Sequence, residues 1–291
     1  MRILCIDVGG TDIKSAIYHS DGRLFKEFPN TATARDHKPV IQQIVGIVAD
    51  GAVHNRIDGV AVSTAGVVDN VSGDVVFAGY TMPGYSGTKI KDTIESKFGY
   101  DCAVENDVNA ACLAEAWLGA GQDLSSLVCL TVGTGVGGAI MIDRKLVTGV
   151  GHTAGEIGYI PVGNRHFQDM ASTTYLVARA NELAGSLTYE NGLQVFEGVR
   201  LGNEFCIRAV DDLVSNLSRG LTTIIYLLNP EAIVLGGGVM AQKDYLEKRI
   251  IQSVRQQLVS EIFDRTEIRF AKMGNHAGMI GALKNFLMCK K

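Results

Sequence analysis

The sequence predicts an α/β protein made of two similar halves, each opening with a small meander of strands and continuing into helices. Three observations carry that expectation. Apolar segments of strand length alternate with segments of helical period along the chain. Residues 128–146 (VCLTVGTGVGGAIMIDRKL) repeat the pattern of residues 4–24 (LCIDVGGTDIKSAIYHSDGRL): apolar strand, small-residue turn, apolar strand, turn, short third strand. Three glycine-rich turns, Gly9-Gly10-Thr11, Gly133-Thr134-Gly135 and Gly236-Gly237-Gly238, each follow a short apolar strand. At 291 residues the chain exceeds the usual single core, so two lobes are expected. Two equivalent halves suggest a ligand held in a central cleft.

The elements follow in order. Residues 2–8 read as a buried strand, 13–18 as a second, and Ser20-Asp21-Gly22 as a hairpin turn into a third. Residues 40–53 place Val40, Ile44, Ile47 and Val48 at helical spacing, and 59–63 form a short strand before a glycine turn at Gly66. An amphipathic helix over 89–98 stops at Gly99, a strand occupies 102–104, and a helix of small and apolar residues covers 109–118. The second half is helical over 173–184, 204–228 and 245–260, with a buried strand at 232–235 running into Gly236. A small-residue helix over 277–288 closes the chain.

Composition removes several function classes. Acidic residues (31) outnumber Lys plus Arg (27), so a basic nucleic-acid-binding protein is not expected. No run of about 18 apolar residues occurs, which argues against a transmembrane helix. No charged n-region leads into an apolar core at the N-terminus, so no secretory signal is expected. Cys5, Cys102, Cys112, Cys129, Cys206 and Cys289 form no CxxC pair and sit mostly in apolar runs. They read as reduced, buried thiols of a cytoplasmic protein.

Any one glycine turn is explained by backbone need alone. Three at strand ends point further, because glycine lets backbone N–H groups approach phosphate oxygens closely. GxxxxGK[ST] and GxGxxG are both absent, and Gly133-x-Gly135-x-Gly137-Gly138 leads into a strand where a dinucleotide fingerprint would lead into a helix. Asp7 lies two residues before the first turn, at the end of a buried strand. A carboxylate there is costly unless paired, and beside a phosphate cradle Mg²⁺ held through water suits it. Lys14, three residues past Thr11, either neutralises phosphate or is a solvated strand lysine.

Glu105-Asn106-Asp107-Val108-Asn109 places four polar side chains between an apolar strand and a small-residue helix. Helix capping accounts for one of them. A carboxylate and an amide together suit a polyhydroxylated ligand, since the amide donates and accepts while the carboxylate takes a hydroxyl proton. Glu156, between glycines in Gly151-His152-Thr153-Ala154-Gly155-Glu156, is a further candidate, with His152 weaker beside it.

Together these segments resemble the ROK family of bacterial sugar kinases and sugar-responsive repressors. The resemblance rests on Asp7-Val-Gly-Gly-Thr-Asp-Ile-Lys14, Glu105-Asn-Asp-Val-Asn-Ala110, Leu130-Thr-Val-Gly-Thr-Gly-Val-Gly-Gly138, Ala154-Gly-Glu-Ile-Gly158 and Leu235-Gly-Gly-Gly-Val239. It implies an actin-like ATPase (ribonuclease H-like) fold, with a small lobe of residues 1–108 plus 277–291 and a larger one of 109–276. It further implies ATP-dependent phosphorylation of a hexose, N-acetylhexosamine or β-glucoside, at the 6-OH in a pyranose. Asp107 would be the general base, with Gly66, Asn106 and Glu156 on the sugar and Glu156 at its anomeric end. Gly9, Gly10, Thr11, Gly133, Thr134 and Gly135 would hold the ATP phosphates, with Lys14 and Thr131 also among the cofactor-binding residues, Asp7 would hold the Mg²⁺, and Gly236, Gly237 and Gly238 would sit near the adenosine. A sugar is the expected partner, with neither nucleic acid nor membrane, and a homodimer is compatible with the pattern. Two departures stand out. Many members bind a structural zinc through a histidine and a CxCGxxGC cluster; here Tyr159 stands where the histidine usually stands and residues 159–168 hold no cysteine, so no zinc is expected. Gln168 falls near a position often held by a sugar-binding glutamate. The alternatives are a repressor, for which a helix-turn-helix would have to precede a strand that starts at Arg2, and an actin-like ATPase without sugar kinase activity.

Overall fold

The computed structural model describes residues 1–34, 40–79 and 82–290. Strands β1 (Arg2–Val8), β2 (Asp12–His19), β3 (Leu24–Glu27) and β4 (Thr31–Ala32) lead to helix α1 (Val40–Val53). Then come β5 (Gly59–Thr64), β6 (Val67–Asp69), β7 (Asp74–Phe77), α2 (Ile90–Phe98), β8 (Cys102–Asn106) and α3 (Asp107–Leu118). The second meander is β9 (Leu127–Val132), β10 (Val136–Ile142) and β11 (Lys145–Leu146). A short hairpin, β12 (Pro161–Val162) and β13 (Arg165–His166), precedes helices α4 (Gln168–Ala171), α5 (Thr173–Ala184), α6 (Gly192–Arg200) and α7 (Glu204–Leu228). The chain finishes with β14 (Ala232–Gly236), α8 (Lys243–Gln257), β15 (Glu267–Phe270) and α9 (Ala277–Cys289).

These elements form two compact units. The first comprises Met1–Gln122, Thr148–Ala154 and Met273–Lys291; the second comprises Asp123–Val147 and Gly155–Lys272. In the first unit the sheet order is β3-β2-β1-β5-β8, with β4 on β2. β1 and β2 are antiparallel, while β5 and β8 run parallel to β1. The central strands are apolar almost throughout because both faces are covered. One face packs Leu4, Ile6, Val60 and Val62 against Ile44 and Val48 of α1 and Ile90 and Ile94 of α2. The other packs Ile3, Cys5, Ala61 and Ala103 against Met279, Leu283 and Phe286 of α9.

In the second unit the order is β11-β10-β9-β14-β15, again an antiparallel meander followed by two parallel strands. The repeat read in the sequence is therefore a repeat of topology. Its core joins Val128, Leu130, Ile233 and Leu235 to the apolar stripe of α7, which buries Val210, Leu213, Leu217 and Leu221.

Several elements differ in detail from the sequence expectation. The helix expected from 109 begins at Asp107, because the Asn106 side chain accepts from the backbone N–H groups of Val108 and Asn109 and caps it. The strand expected over 102–104 runs on to Asn106. Strand β15 and the β6–β7 hairpin were not expected. Five cysteines are buried and Cys289 is exposed. Among the described residues no helix is long and apolar enough to cross a membrane.

Candidate active site

In the first unit the polar candidates gather at the carboxyl ends of three adjacent parallel strands. The register pairs Asp7 with Ser63 across β1 and β5, and Ser63 with Glu105 across β5 and β8. One strand spacing is about 4.8 Å, so the three residues form a row roughly 10 Å long. In open α/β sheets ligands bind at such strand ends.

Asp7 is held by Ser63, whose Oγ donates to Oδ1 at 2.8 Å, and faces Lys14 across the β1–β2 ladder. Burial raises its carboxyl above the usual range, and the Ser63 bond and the Lys14 charge offset that only in part. Gly278, the second residue of α9, leaves room for this carboxylate: a Cβ there would collide with both carboxylate oxygens. An under-compensated buried carboxylate fits a hard cation. Among the described residues no three His, Cys, Asp or Glu side chains converge, so Mg²⁺ at Asp7 would draw its other ligands from water and phosphate. The neighbouring turn is braced by Thr33, whose Oγ1 donates to Gly9 O at 2.7 Å and whose N–H donates to Thr11 O at 2.8 Å. Thr11 itself is exposed.

Asn106 and Asp107 stand at the β8–α3 junction. The Asn106 Nδ2 donates to Gly66 O at 2.9 Å and to Asp107 Oδ1 at 3.0 Å. Asp107 Oδ1 also accepts from Val108 N at 2.9 Å. Gly66 adopts φ +101°, and a Cβ there would lie 2.6 Å from Phe77 O, so the carbonyl that receives Asn106 depends on glycine. Beneath lies Glu105, 1% exposed. Its Oε1 accepts from Asn106 N at 2.8 Å and Asn109 Nδ2 at 3.0 Å. Burial raises its carboxyl, with those bonds acting against the shift. Glu105 thus holds the junction. His152 lies 3.8 Å from Asp69, and its buried Nδ1 has no partner.

In the second unit the other two glycine turns adjoin. Gly236 pairs with Thr131 in the β9–β14 ladder. Gly237 has φ +93°, and its Cβ position is filled by the Val132 backbone, immediately before Gly133. The Gly133–Gly135 turn closes on itself (Gly133 N to Gly135 O, 2.9 Å) and is anchored to the start of α5. Thr173 N donates to Gly133 O at 2.8 Å and Thr174 Oγ1 to Thr134 O at 2.7 Å. Gly238 begins a 3₁₀ turn over Gly238–Gln242.

Glu156 precedes another 3₁₀ turn, Ile157–Tyr159. That turn sits on β10: a Cβ on Gly155 (φ +92°) would lie 2.7 Å from Gly138 O. Glu156 is exposed, and partial desolvation by its surroundings alone raises its carboxyl. Sequence reasoning missed Ser63, Thr33 and Thr173, which hold the candidates in place. They lie 22 to 56 residues away from Asp7, Thr11 or Gly133, and no local pattern marks them.

The chain thus carries a duplicated α/β sheet, glycine turns at the strand ends of each half and an amide–carboxylate pair at a strand–helix junction. Residues 3–288 match the ROK family, and the chain belongs to it. An uncharacterised protein of Clostridium perfringens is 40% identical over 283 residues, covering 97% of this chain and 96% of that one. The β-glucoside kinase of Listeria innocua is 30% identical, covering 99% of this chain and 98% of its own. A ROK family glucokinase from Streptomyces griseus, solved with glucose and AMPPNP, superposes with a TM-score of 0.85 at 28% identity, covering 97% of this chain and 98% of that one. These likenesses agree with the actin-like ATPase fold expected from the sequence.

Proposed function

We propose that this protein is an ATP-dependent sugar kinase that phosphorylates the primary hydroxyl of a hexose or hexose derivative in the cytoplasm. The observation that carries the reading is the β8–α3 junction. There an asparagine and an aspartate, fixed by a buried glutamate and by the Gly66 carbonyl, stand at a helix N-terminus in a family that includes named sugar kinases among the relatives.

Asp107 accepts the proton of the sugar hydroxyl as its oxygen attacks the γ-phosphorus; the bond to the ADP oxygen breaks, and ADP and the sugar phosphate leave. Asn106 and Gly66 orient the sugar. Glu156 accepts hydrogen bonds from hydroxyls at the anomeric end, away from the reacting oxygen. Gly9, Gly10, Thr11, Gly133, Thr134 and Gly135 present backbone N–H groups to phosphate oxygens, with Thr131 and Lys14 beside them. Gly236, Gly237 and Gly238 flank the adenosine. Asp7 is the residue that would hold Mg²⁺, which when bound neutralises charge on the β- and γ-phosphates.

A coupled assay of ADP release over glucose, N-acetylmannosamine, mannose, fructose and cellobiose tests the reading. Turnover with at least one sugar is expected. Asp107→Asn should lower kcat by roughly 10²–10⁴-fold, the contribution of a general base, while the sugar still binds. ATP consumption indifferent to every sugar, or a fully active Asp107→Asn, would refute it.

A further inference from the structure

We propose that Tyr85 is a positioning residue of the active site: its phenol, acting through Thr64, sets the Ala65–Gly66 turn whose carbonyl holds Asn106 for the sugar. The inference rests on the sugar-kinase reading above and adds to it a residue that touches neither substrate.

Tyr85 is 3% exposed and lies in the apolar cluster of the first unit that also holds Met82, Ile90 and Ile94. A phenylalanine would fill such a site; a buried phenol needs a partner for its hydroxyl. That partner is Thr64, the fully buried last residue of β5, which sits between Val8 and Asn106 in the sheet. Thr64 Oγ1 donates to Ala65 O at 3.2 Å, which uses its one proton. The Tyr85 hydroxyl, 2.8 Å away, is therefore the donor to Thr64 Oγ1. Burial pushes the phenol up to about 12, against the Thr64 bond, so it keeps the proton it donates at neutral pH.

Ala65 O belongs to the peptide that leads into Gly66, so the Thr64 bond fixes one side of that turn. The other side is β7, since a Cβ on Gly66 would lie 2.6 Å from Phe77 O. The segment that carries Tyr85 is itself fastened to β7 and the residue after it. Gly87 N donates to Val75 O at 2.7 Å, Val75 N to Thr88 O at 3.0 Å, and Ala78 N to Ser86 Oγ at 2.9 Å. Held from both sides, the turn presents Gly66 O to Asn106 Nδ2 at 2.9 Å, and the same Nδ2 donates to Asp107 Oδ1 at 3.0 Å. From phenol to aspartate the links run in series through hydroxyl, peptide and amide. Removing the phenol proton leaves the Thr64 oxygen a buried acceptor without that donor. Its own bond to Ala65 O then weakens, because hydrogen bonds in a chain polarise one another.

The test compares the wild type, Tyr85→Phe, Thr64→Val, the double variant and Thr64→Ser. Kinetics use the sugar that turns over fastest in the assay above, with melting curves and calorimetric binding of the same panel of sugars. In Tyr85→Phe the sugar KM should rise roughly three- to tenfold, the scale of one neutral hydrogen bond, while the KM for ATP keeps its wild-type value. Thr64→Val should behave alike, and the double variant should lose no more than the larger single, because the links act in series. Thr64→Ser, which keeps the hydroxyl, should restore the wild-type sugar KM. A merely structural role would lower Tm and the active fraction, and hence kcat, and would leave the sugar KM where it is. A wild-type sugar KM in a folded Tyr85→Phe, or additive losses in the double variant, overturns the inference and leaves the kinase reading intact. Sugar binding weakened by both single variants, without phosphoryl transfer in the wild type, supports the inference and overturns the kinase reading. A wild type that binds no sugar overturns both.

Discussion

Asp7, Glu105 and Glu156 share an electrostatic situation: desolvation raises each carboxyl, and the partners present do not cancel the shift. Because the folded state favours the protonated form, ionising such a group costs stability. That cost grows as pH rises from the ordinary carboxylate range through the raised folded value. Asp7→Asn keeps an acceptor for the Ser63 hydroxyl and removes the charge. At neutral pH it should raise Tm by ~2–4 °C, the shift that about 1 kcal/mol produces in a chain of this class, while Mg²⁺-dependent nucleotide binding weakens. Thermal scans with and without MgATP check both parts, and a lower Tm without ligand would show Asp7 to be structural. Glu156 acts in the opposite direction on substrate. Its acceptor role needs the ionised form, which is lost as pH falls through a value above the usual glutamate range. The sugar KM should therefore climb on acidification sooner than an ordinary glutamate would require, and Glu156→Gln should flatten the profile. A wild-type KM constant down to the ordinary range would remove Glu156 from the sugar site.

At the scale of elements, glycine positions decide how turns approach strands. Gly237 combines φ +93° with a Cβ site filled by the Val132 backbone, so Gly237→Ala must move β14 away from β9 or distort the turn. A loss of roughly 1–3 kcal/mol is expected from the backbone strain alone, with nucleotide affinity falling as the two turns separate. Denaturant unfolding and nucleotide titration of one preparation measure both, and wild-type values for each would refute the close approach. The same scale shows what could be read from sequence. The two meanders were legible because apolar runs, turns and their repetition are local. Strand β15 was missed because Glu267 and Arg269 alternate with Ile268 and Phe270 at a sheet edge, which leaves no continuous apolar run. The start of α3 was placed late because Asn106 and Asp107 read as loop, although the amide is a cap and the carboxylate the first helical residue. In the site, motif residues were legible one by one. Their supports were not: the Ser63–Asp7 bond and the position of Gln168 over Gly135 arise from tertiary pairing across 56 and 33 residues.

For the molecule as a whole, the chain leaves its first unit and returns to it. The last helix, α9, packs on the first sheet and crosses α3 where Gly281 meets the backbone of Ala110. It buries Met279, Ile280, Leu283 and Phe286. At roughly 1.5–3 kcal/mol per side chain, that burial rivals the entire stability of a typical domain. Residues 1–122 expressed alone should therefore lack cooperative unfolding, and joining them to 273–291 through a short Gly/Ser linker should restore it. Circular dichroism melts of the two fragments decide the matter; a cooperative transition in residues 1–122 alone would contradict it.

The distribution of thiols has a practical use. Cys5, Cys102, Cys112, Cys129 and Cys206 are buried, and burial pushes the Cys5 and Cys102 thiols up, away from the reactive thiolate. Cys289, at the end of α9, is the exposed thiol, although partial burial raises it as well. A maleimide dye added to the native enzyme will attach there, giving a spectroscopic reporter on the helix that completes the first unit without any engineered residue.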